Sequence, residues 1–288
     1  MSNPNFGPNG PVHGIWTTAE ILSIYTRTEL QRLLETGQLR RLRRGRYADQ
    51  RATPQAIRAV TLGGVLTCFS ALNESWVPHR HQLHVRIPAN SNRAITSPAG
   101  AVIHRATRGI STDATVDSIP VSLAMALQCT TDLEWIAMVD SILHERLADR
   151  SSLAADVLMA APIWHRRVHD LMTKVDPRSE SGTESILRCA LRAEGYRVRI
   201  QVQIGQDRVD MLVGDRLVLE CDSLTHHWNS RAFEHDRRRD LRLKSAGYEV
   251  LRFTYNQLMY ELDEVLEMVR RMTRARKHRW SHRDRRVA

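Results

Sequence analysis

The sequence predicts an α/β (α+β) chain of three modules. These are an N-terminal winged helix-turn-helix, a middle α/β module and a C-terminal mixed sheet flanked by helices. Three observations predict it. Two Thr/Glu pairs in quick succession precede an arginine-rich ribbon near the start. A middle stretch passes from alternating apolar residues to helical apolar spacing. Beyond a polar, turn-forming stretch at residues 175–182, short apolar strands alternate with helices. The expected divisions are 1–52, 53–175, 176–270 and a basic tail, 271–288.

In the first module, Thr17 and Glu20 stand three apart ahead of Ile21, Leu22 and Ile24, and Thr26 and Glu29 repeat the device ahead of Leu30, Leu33 and Leu34. Two such capping boxes predict two short helices joined by a tight turn. Gly37 supplies a C-terminal stop. Residues 39–47, Leu-Arg-Arg-Leu-Arg-Arg-Gly-Arg-Tyr, then read as a basic ribbon, with the helix at about 28–36 as the major-groove element. The candidate DNA contacts are Arg27 and Gln31 together with Arg40, Arg41, Arg43, Arg44 and Arg46. Five arginines in seven positions repel one another without a partner. A helical hairpin with a solvated arginine face is the alternative.

The middle module is less legible. Residues 84–87 and 101–104 alternate like half-buried strands, and residues 122–129 and 132–147 carry helical spacing. His79, His81 and His84 fit no firm metal motif and read as exposed loop histidines. Trp135, Met138 and Trp164 read as core.

In the third module, Ser181 to Glu184 caps a helix containing Ile186, Leu187, Ala190 and Leu191 that stops at Gly195. Strands are expected at 197–204, 208–213 and 217–222, a charged helix at 231–245, a strand at 248–253 and an amphipathic helix from Tyr255.

Composition narrows the function. The net charge of +10 suits a polyanionic partner. Only Lys174, Lys244 and Lys277 are lysines, so the arginine excess is also what a GC-rich genome would give. Arg or Lys recurs nine times in the seventeen positions from Arg270 to Arg286, which reads as a solvated, frayed tail adding nonspecific affinity. No apolar run is long enough to span a membrane, and the polar, Gly- and Pro-rich start is unlike a signal peptide. Cys68, Cys129, Cys189 and Cys221 are far apart without a CxxC pair, which suggests neither disulfides nor zinc and fits a reducing cytoplasm.

Three acids stand out: Glu184 near a helix start, and Asp210 and Glu220 inside apolar strands. Charges there are costly unless paired or metal-bound. A three-residue loop at 214–216 pairs Val213 with Leu217 and brings Asp210 opposite Glu220, with Asp222 on the same side. A two-residue loop would put them on opposite faces. Other readings stand beside this one: Glu184 as the Glu of a capping box, Asp210 paired with Arg208 or Arg252, and Asp222 starting a turn.

At these residues the sequence resembles the very-short-patch-repair-like branch of the PD-(D/E)XK nucleases, which have the restriction-endonuclease fold. The matching stretches are the Glu184 helix, Arg208-Val209-Asp210, Leu219-Glu220-Cys221-Asp222, His227, and residues 233–240 and 243–253. The resemblance implies Mg²⁺-dependent phosphodiester cleavage, with Mn²⁺ as an alternative ion. It implies Asp210 and Glu220 as metal ligands, Glu184 orienting the metal or its water, and His227 as acid, base or phosphate contact. Asp222 occupies the slot of the superfamily's usual lysine and must be a ligand, a base or structural. Ser223 stands where the branch usually has Gly. Residues 14–150 resemble AbiEi-like abortive-infection antitoxins through residues 16–20, 38–47 and 119–123, which implies DNA binding and autoregulation.

The function expected is therefore a cytoplasmic, DNA-binding, metal-dependent endonuclease of a defence or toxin–antitoxin locus, with a toxin or antitoxin partner. The rival is a regulator whose nuclease-like domain is inactive. RNA stays open as substrate, since it shares the phosphodiester and nothing here reads a 2′-hydroxyl.

Overall fold

A computed structural model describes residues 13–72, 76, 82–89, 100–105, 109–222 and 230–280. The chain divides into two compact units. The first takes in residues 1–73, 78–129 and 152–165, and the second residues 74–77, 130–151 and 166–288.

The first unit opens with β1 (Ile15–Thr17), α1 (Thr18–Leu22), α2 (Arg27–Glu35), β2 (Arg40–Arg43) and β3 (Arg46–Ala48). Both capping boxes form: Thr17 with Glu20, and Thr26 with Glu29. The strands make an antiparallel sheet ordered β1-β3-β2. Trp16, Ile21, Leu33, Leu39 and Tyr47 form its core.

Next come α3 (Pro54–Thr61), β4 (Val65–Leu66), a one-turn 3-10 helix (Cys68–Ser70), β5 (Leu83–Ile87), β6 (Ala101–Arg105) and α4 (Ile119–Ala126). A second sheet is ordered β4-β5-β6, with β5 and β6 parallel. The alternation expected around His84 does not describe β5. All five of its residues are buried, as befits a central strand covered on both faces. Arg86 is nearly inaccessible there, and its guanidinium donates to both oxygens of Asp117 at 2.7 and 2.6 Å. His84 is also buried rather than an exposed loop histidine. His79 and His81 lie outside the described residues.

The remaining elements are α5 (Asp132–His144), α6 (Arg150–Ala160), α7 (His165–Lys174), α8 (Gly182–Ala193), β7 (Val198–Ile204), β8 (Asp207–Val213), β9 (Leu217–Asp222), α9 (Ser230–Ser245), β10 (Glu249–Thr254), α10 (Tyr255–Tyr260) and α11 (Leu262–Arg274). In the second unit, a four-stranded mixed sheet is ordered β10-β9-β8-β7, with only the β10–β9 pair parallel. Leu187 and Leu191 of α8, Leu258 of α10 and Val265 and Val269 of α11 pack on one face against Met211, Leu217, Leu219 and Phe253. Leu243 of α9 packs on the other against Leu212 and Val218. The single amphipathic helix expected from Tyr255 is broken at Glu261 into α10 and α11.

The expected break near residue 175 is bridged by a buried polar network. Asp140 of α5 accepts from Arg188 (2.6 Å) and Ser185 (2.6 Å) of α8 and from the Asp176 N–H (2.7 Å). Arg188 also donates to the Lys174 carbonyl at 2.6 Å. The boundary expected at residue 270 falls inside α11, and Trp280 beyond it packs edge-on against Tyr248 and under the Arg216 guanidinium. Trp280 is thus held, where the sequence suggested a frayed tail, while residues 281–288 of that expected tail lie outside the described residues.

Both members of the Arg188–Asp140 pair have side chains with no exposed surface. Asp140→Ala should therefore lower unfolding free energy by about 3–5 kcal/mol, because it strands a buried guanidinium. Replacing both partners with apolar residues of matching volume should cost far less. Chemical denaturation of the two variants checks this, and a loss below about 1 kcal/mol in the single variant would mean that the pair is solvated.

Candidate active site

The turn between β8 and β9 decides whether the acids meet. Val213 pairs with Leu217, Leu212 with Val218 and Met211 with Leu219. Gly214, Asp215 and Arg216 are thus a three-residue loop, and the two-residue alternative is excluded. Gly214 takes a positive φ of 64°, and a Cβ there would meet the His278 carbonyl at 2.4 Å, so glycine is required at this position. One further step of the register sets Asp210 opposite Glu220. The ladder has already opened by then: the Cys221 N–H is taken at 2.8 Å by the Asp210 carboxylate.

Glu184 lies in the first turn of α8, where it feels the negative charge of Asp210. Ser181 is the N-cap and accepts from the Glu184 N–H. The Glu184 carboxylate accepts in turn from the Glu180 N–H (3.0 Å), the Ser181 hydroxyl (3.0 Å) and the Gln201 amide (2.8 Å). Ser181 caps the helix, but the reciprocal bond of a capping box is not made: the Glu184 carboxylate takes the Glu180 N–H instead of the N-cap N–H. Gln201 sits at a positive φ of 52° within β7, a strained position for a non-glycine residue.

Electrostatics couple Asp210 to both glutamates. Burial, followed by the negative charge of Asp210, pushes Glu220 up to about 8 and Glu184 up to about 7. Burial also raises Asp210, against the pull of Arg239 and Arg252. Between the strands, the Cys221 thiol is pushed far up by burial and then by Asp210, Glu184, Glu220 and Asp222 together. Asp210 is the charge that acts on both Glu184 and Glu220. Hard, desolvated carboxylate oxygens facing across a strand pair fit a hard divalent cation.

Arginines frame this cluster. Arg239 of α9 donates to Glu220 at 2.8 Å and also to the Arg208 carbonyl. Arg252, opposite Glu220 on β10, bridges Asp222 (3.1 Å) and Asp240 (2.8 Å). Arg208 turns away to Glu180 at 2.7 Å. Asp210 is therefore not the ion-pair partner of Arg208 or Arg252. Sequence reasoning missed Gln201 and Arg239. Gln201 carries no sequence signal, and Arg239 is one of three consecutive arginines with nothing in the pattern to single it out. His227 and Ser223 lie outside the described residues.

Of the candidate DNA contacts, Arg27, Gln31, Arg40, Arg41 and Arg44 are exposed, and Arg43 is half-buried. Arg46 departs from expectation. It is buried, with its guanidinium on the carbonyls of Thr112 and Asp113, because it lies on the central strand of its sheet rather than on the ribbon's open side.

A family model, REase_MTES_1575, matches residues 184–283. The C-terminal region thus carries a restriction-endonuclease-like domain, and the match takes in Glu184, Asp210, Glu220 and Asp222. It does not extend to residues 1–183, where the antitoxin resemblance was seen. No curated protein matches the chain. Among the described residues, no helix is long and apolar enough to cross a membrane.

Glu220 and Glu184 bind protons more tightly folded than unfolded. Their contribution is complete below about 4.5, the ordinary value, and is lost as pH rises through about 7 and about 8. Without divalent metal, stability should fall across that window, and Glu220→Gln should flatten the fall. Thermal denaturation in EDTA against pH measures it; identical profiles for the two proteins would mean that Glu220 is solvated.

Proposed function

We propose that the protein is a metal-dependent endonuclease that hydrolyses DNA phosphodiesters. The observation that carries this reading is the meeting of Asp210 and Glu220 where the β8–β9 ladder opens, with the charge of Asp210 also felt by Glu184. Asp210 and Glu220 would hold Mg²⁺ or Mn²⁺, which when bound supplies Lewis-acid polarisation of a phosphoryl oxygen and an acidified water. Glu184, fixed by three donors, would orient that water. Arg239 and Arg252 hold Glu220 and Asp222 in place and set positive charge beside an incoming phosphate. Asp222, tied to Arg252, is best read as structural. His227 remains the candidate acid, base or phosphate contact that the resemblance implies.

Two helices, each opened by a capping box, followed by the basic β2–β3 ribbon support a winged helix that grips the duplex, with α2 toward the major groove. With the resemblance of residues 14–150, this supports a defence or toxin–antitoxin setting and a cognate partner protein. A second reading rests on the same arginines. If Arg239 and Arg252 permanently neutralise Glu220 and Asp222, the domain binds nucleic acid without cutting it, and the protein is a regulator.

Cleavage of supercoiled plasmid, single-stranded DNA and RNA with Mg²⁺, Mn²⁺ or EDTA separates these readings and identifies the substrate. Metal-dependent cutting of DNA is expected, with Asp210→Ala or Glu220→Ala lowering it by at least about 100-fold while duplex affinity holds. No cutting with duplex affinity retained favours the regulator. Neutralising Arg40, Arg41 and Arg44 should weaken duplex binding and reduce its salt slope by roughly one for each lost phosphate contact. A fluorescence anisotropy salt series reads this directly, and an unchanged slope would remove the ribbon from the footprint.

A further inference from the structure

Four side chains of the first unit converge with no part in the chemistry above. Cys68 opens the 3-10 helix after β4, His84 lies on β5, His104 on β6, and Cys129 just beyond α4. The parallel register pairs Arg86 with His104 and His84 with Val102, so the two histidines sit diagonally on one face of adjacent strands. His84 Nδ1 is 3.0 Å from His104 Nε2, and the Cys68 and Cys129 sulfurs are 3.6 Å apart. The Cys129 sulfur is 3.8 Å from each of those nitrogens. All four donor atoms lie within 4.8 Å of one another.

We propose that Cys68, His84, His104 and Cys129 form a structural zinc site that clasps the 3-10 helix, the β5–β6 pair and the end of α4. A tetrahedral ion with Zn–S of about 2.3 Å and Zn–N of about 2.0–2.1 Å requires edges of about 3.8 Å between sulfurs, about 3.3 Å between nitrogens and about 3.5 Å between sulfur and nitrogen. The Cys68–Cys129 and His84–His104 separations and the two from Cys129 to the imidazoles match these edges to within a few tenths of an ångström, and the Cys68–imidazole separations stay within 4.8 Å. The donor set of two thiols and two imidazoles selects zinc over the hard cations that carboxylates prefer. Two thiolates, two neutral imidazoles and Zn²⁺ sum to no net charge. That sum suits a place where Cys68, His84 and His104 are almost inaccessible. Four protein ligands leave no open position, so the site holds structure rather than substrate.

One further observation agrees. Cys68 adopts a positive φ of 51°, a costly backbone for a residue with a side chain, which persists only where its surroundings demand it. The site escapes sequence patterns because its cysteines are 61 positions apart and its histidines 20.

The test uses the full chain, stripped of metal under reducing conditions and titrated with Co²⁺ and then Zn²⁺. About one equivalent of Co²⁺ should bind with the intense visible bands of a tetrahedral ion and a thiolate charge-transfer band, and Zn²⁺ should displace it. Zinc should protect Cys68 and Cys129, but not Cys221, from alkylation mapped by peptide mass, and should raise the melting temperature. Cys129→Ser should lose the charge-transfer contribution of one sulfur and weaken zinc binding by about 100-fold or more. If that variant does not fold, the spectrum and protection map of the wild-type chain decide alone. A weak octahedral Co²⁺ spectrum, alkylation unchanged by zinc, or a Cys68–Cys129 disulfide with no zinc uptake after reduction would each overturn the proposal. None of these readouts depends on nuclease activity.

Discussion

Two carboxylates forced to face each other out of water constrain the whole second unit. Asp210 and Glu220 are brought together by a hairpin whose register is fixed by a loop that tolerates only glycine at position 214. Like charges in a desolvated site are unfavourable by several kcal/mol unless a cation, a proton or hydrogen-bond donors intervene. The surrounding sequence supplies donors and cations in place of apolar packing. Cys221 offers its backbone N–H, Arg239 reaches in from α9 and Arg252 from β10. Burial and the charge of Asp210 still push Glu184 and Glu220 toward their protonated forms. A divalent cation would meet that need, which is why a cluster that weakens the fold alone makes sense as a site.

The frame that holds the cluster is itself polar and buried. Glu184 is placed by α8, and α8 is pinned by Arg188 and Ser185 on Asp140, with the Asp176 N–H closing the network. The helical segment before residue 175 therefore takes part in positioning α8, which carries Glu184. An ion pair with no exposed surface adds little net stability over a well-packed apolar contact, but it fixes one geometry.

Local chemistry made much of this legible in the sequence. Thr17, Thr26 and Ser181 mark their helices because an N-cap is a short-range device. The strands around Asp210 and Glu220 could be drawn because acids interrupting apolar runs need a reason. The three-residue loop was one of two readings, and only the register chose between them. What stayed hidden was long-range. The hold on the Glu184 carboxylate depends on Gln201, the inward turn of Arg46 depends on carbonyls more than sixty positions away, and the Cys68–Cys129 approach depends on separate elements. Arginine at 39 positions gave no means of telling Arg239 from its neighbours, although only it reaches Glu220 within the described residues.

The most direct measurement is Mn²⁺ binding to the full-length protein, followed by electron paramagnetic resonance with and without competing Mg²⁺. The wild-type chain should bind the ion and release it to Mg²⁺, while a chain carrying Asp210→Asn and Glu220→Gln should leave it free in solution and remain folded. Equal binding by the two proteins would contradict the assignment of these carboxylates as the metal-holding pair, and with it the reading of the site as a nuclease centre.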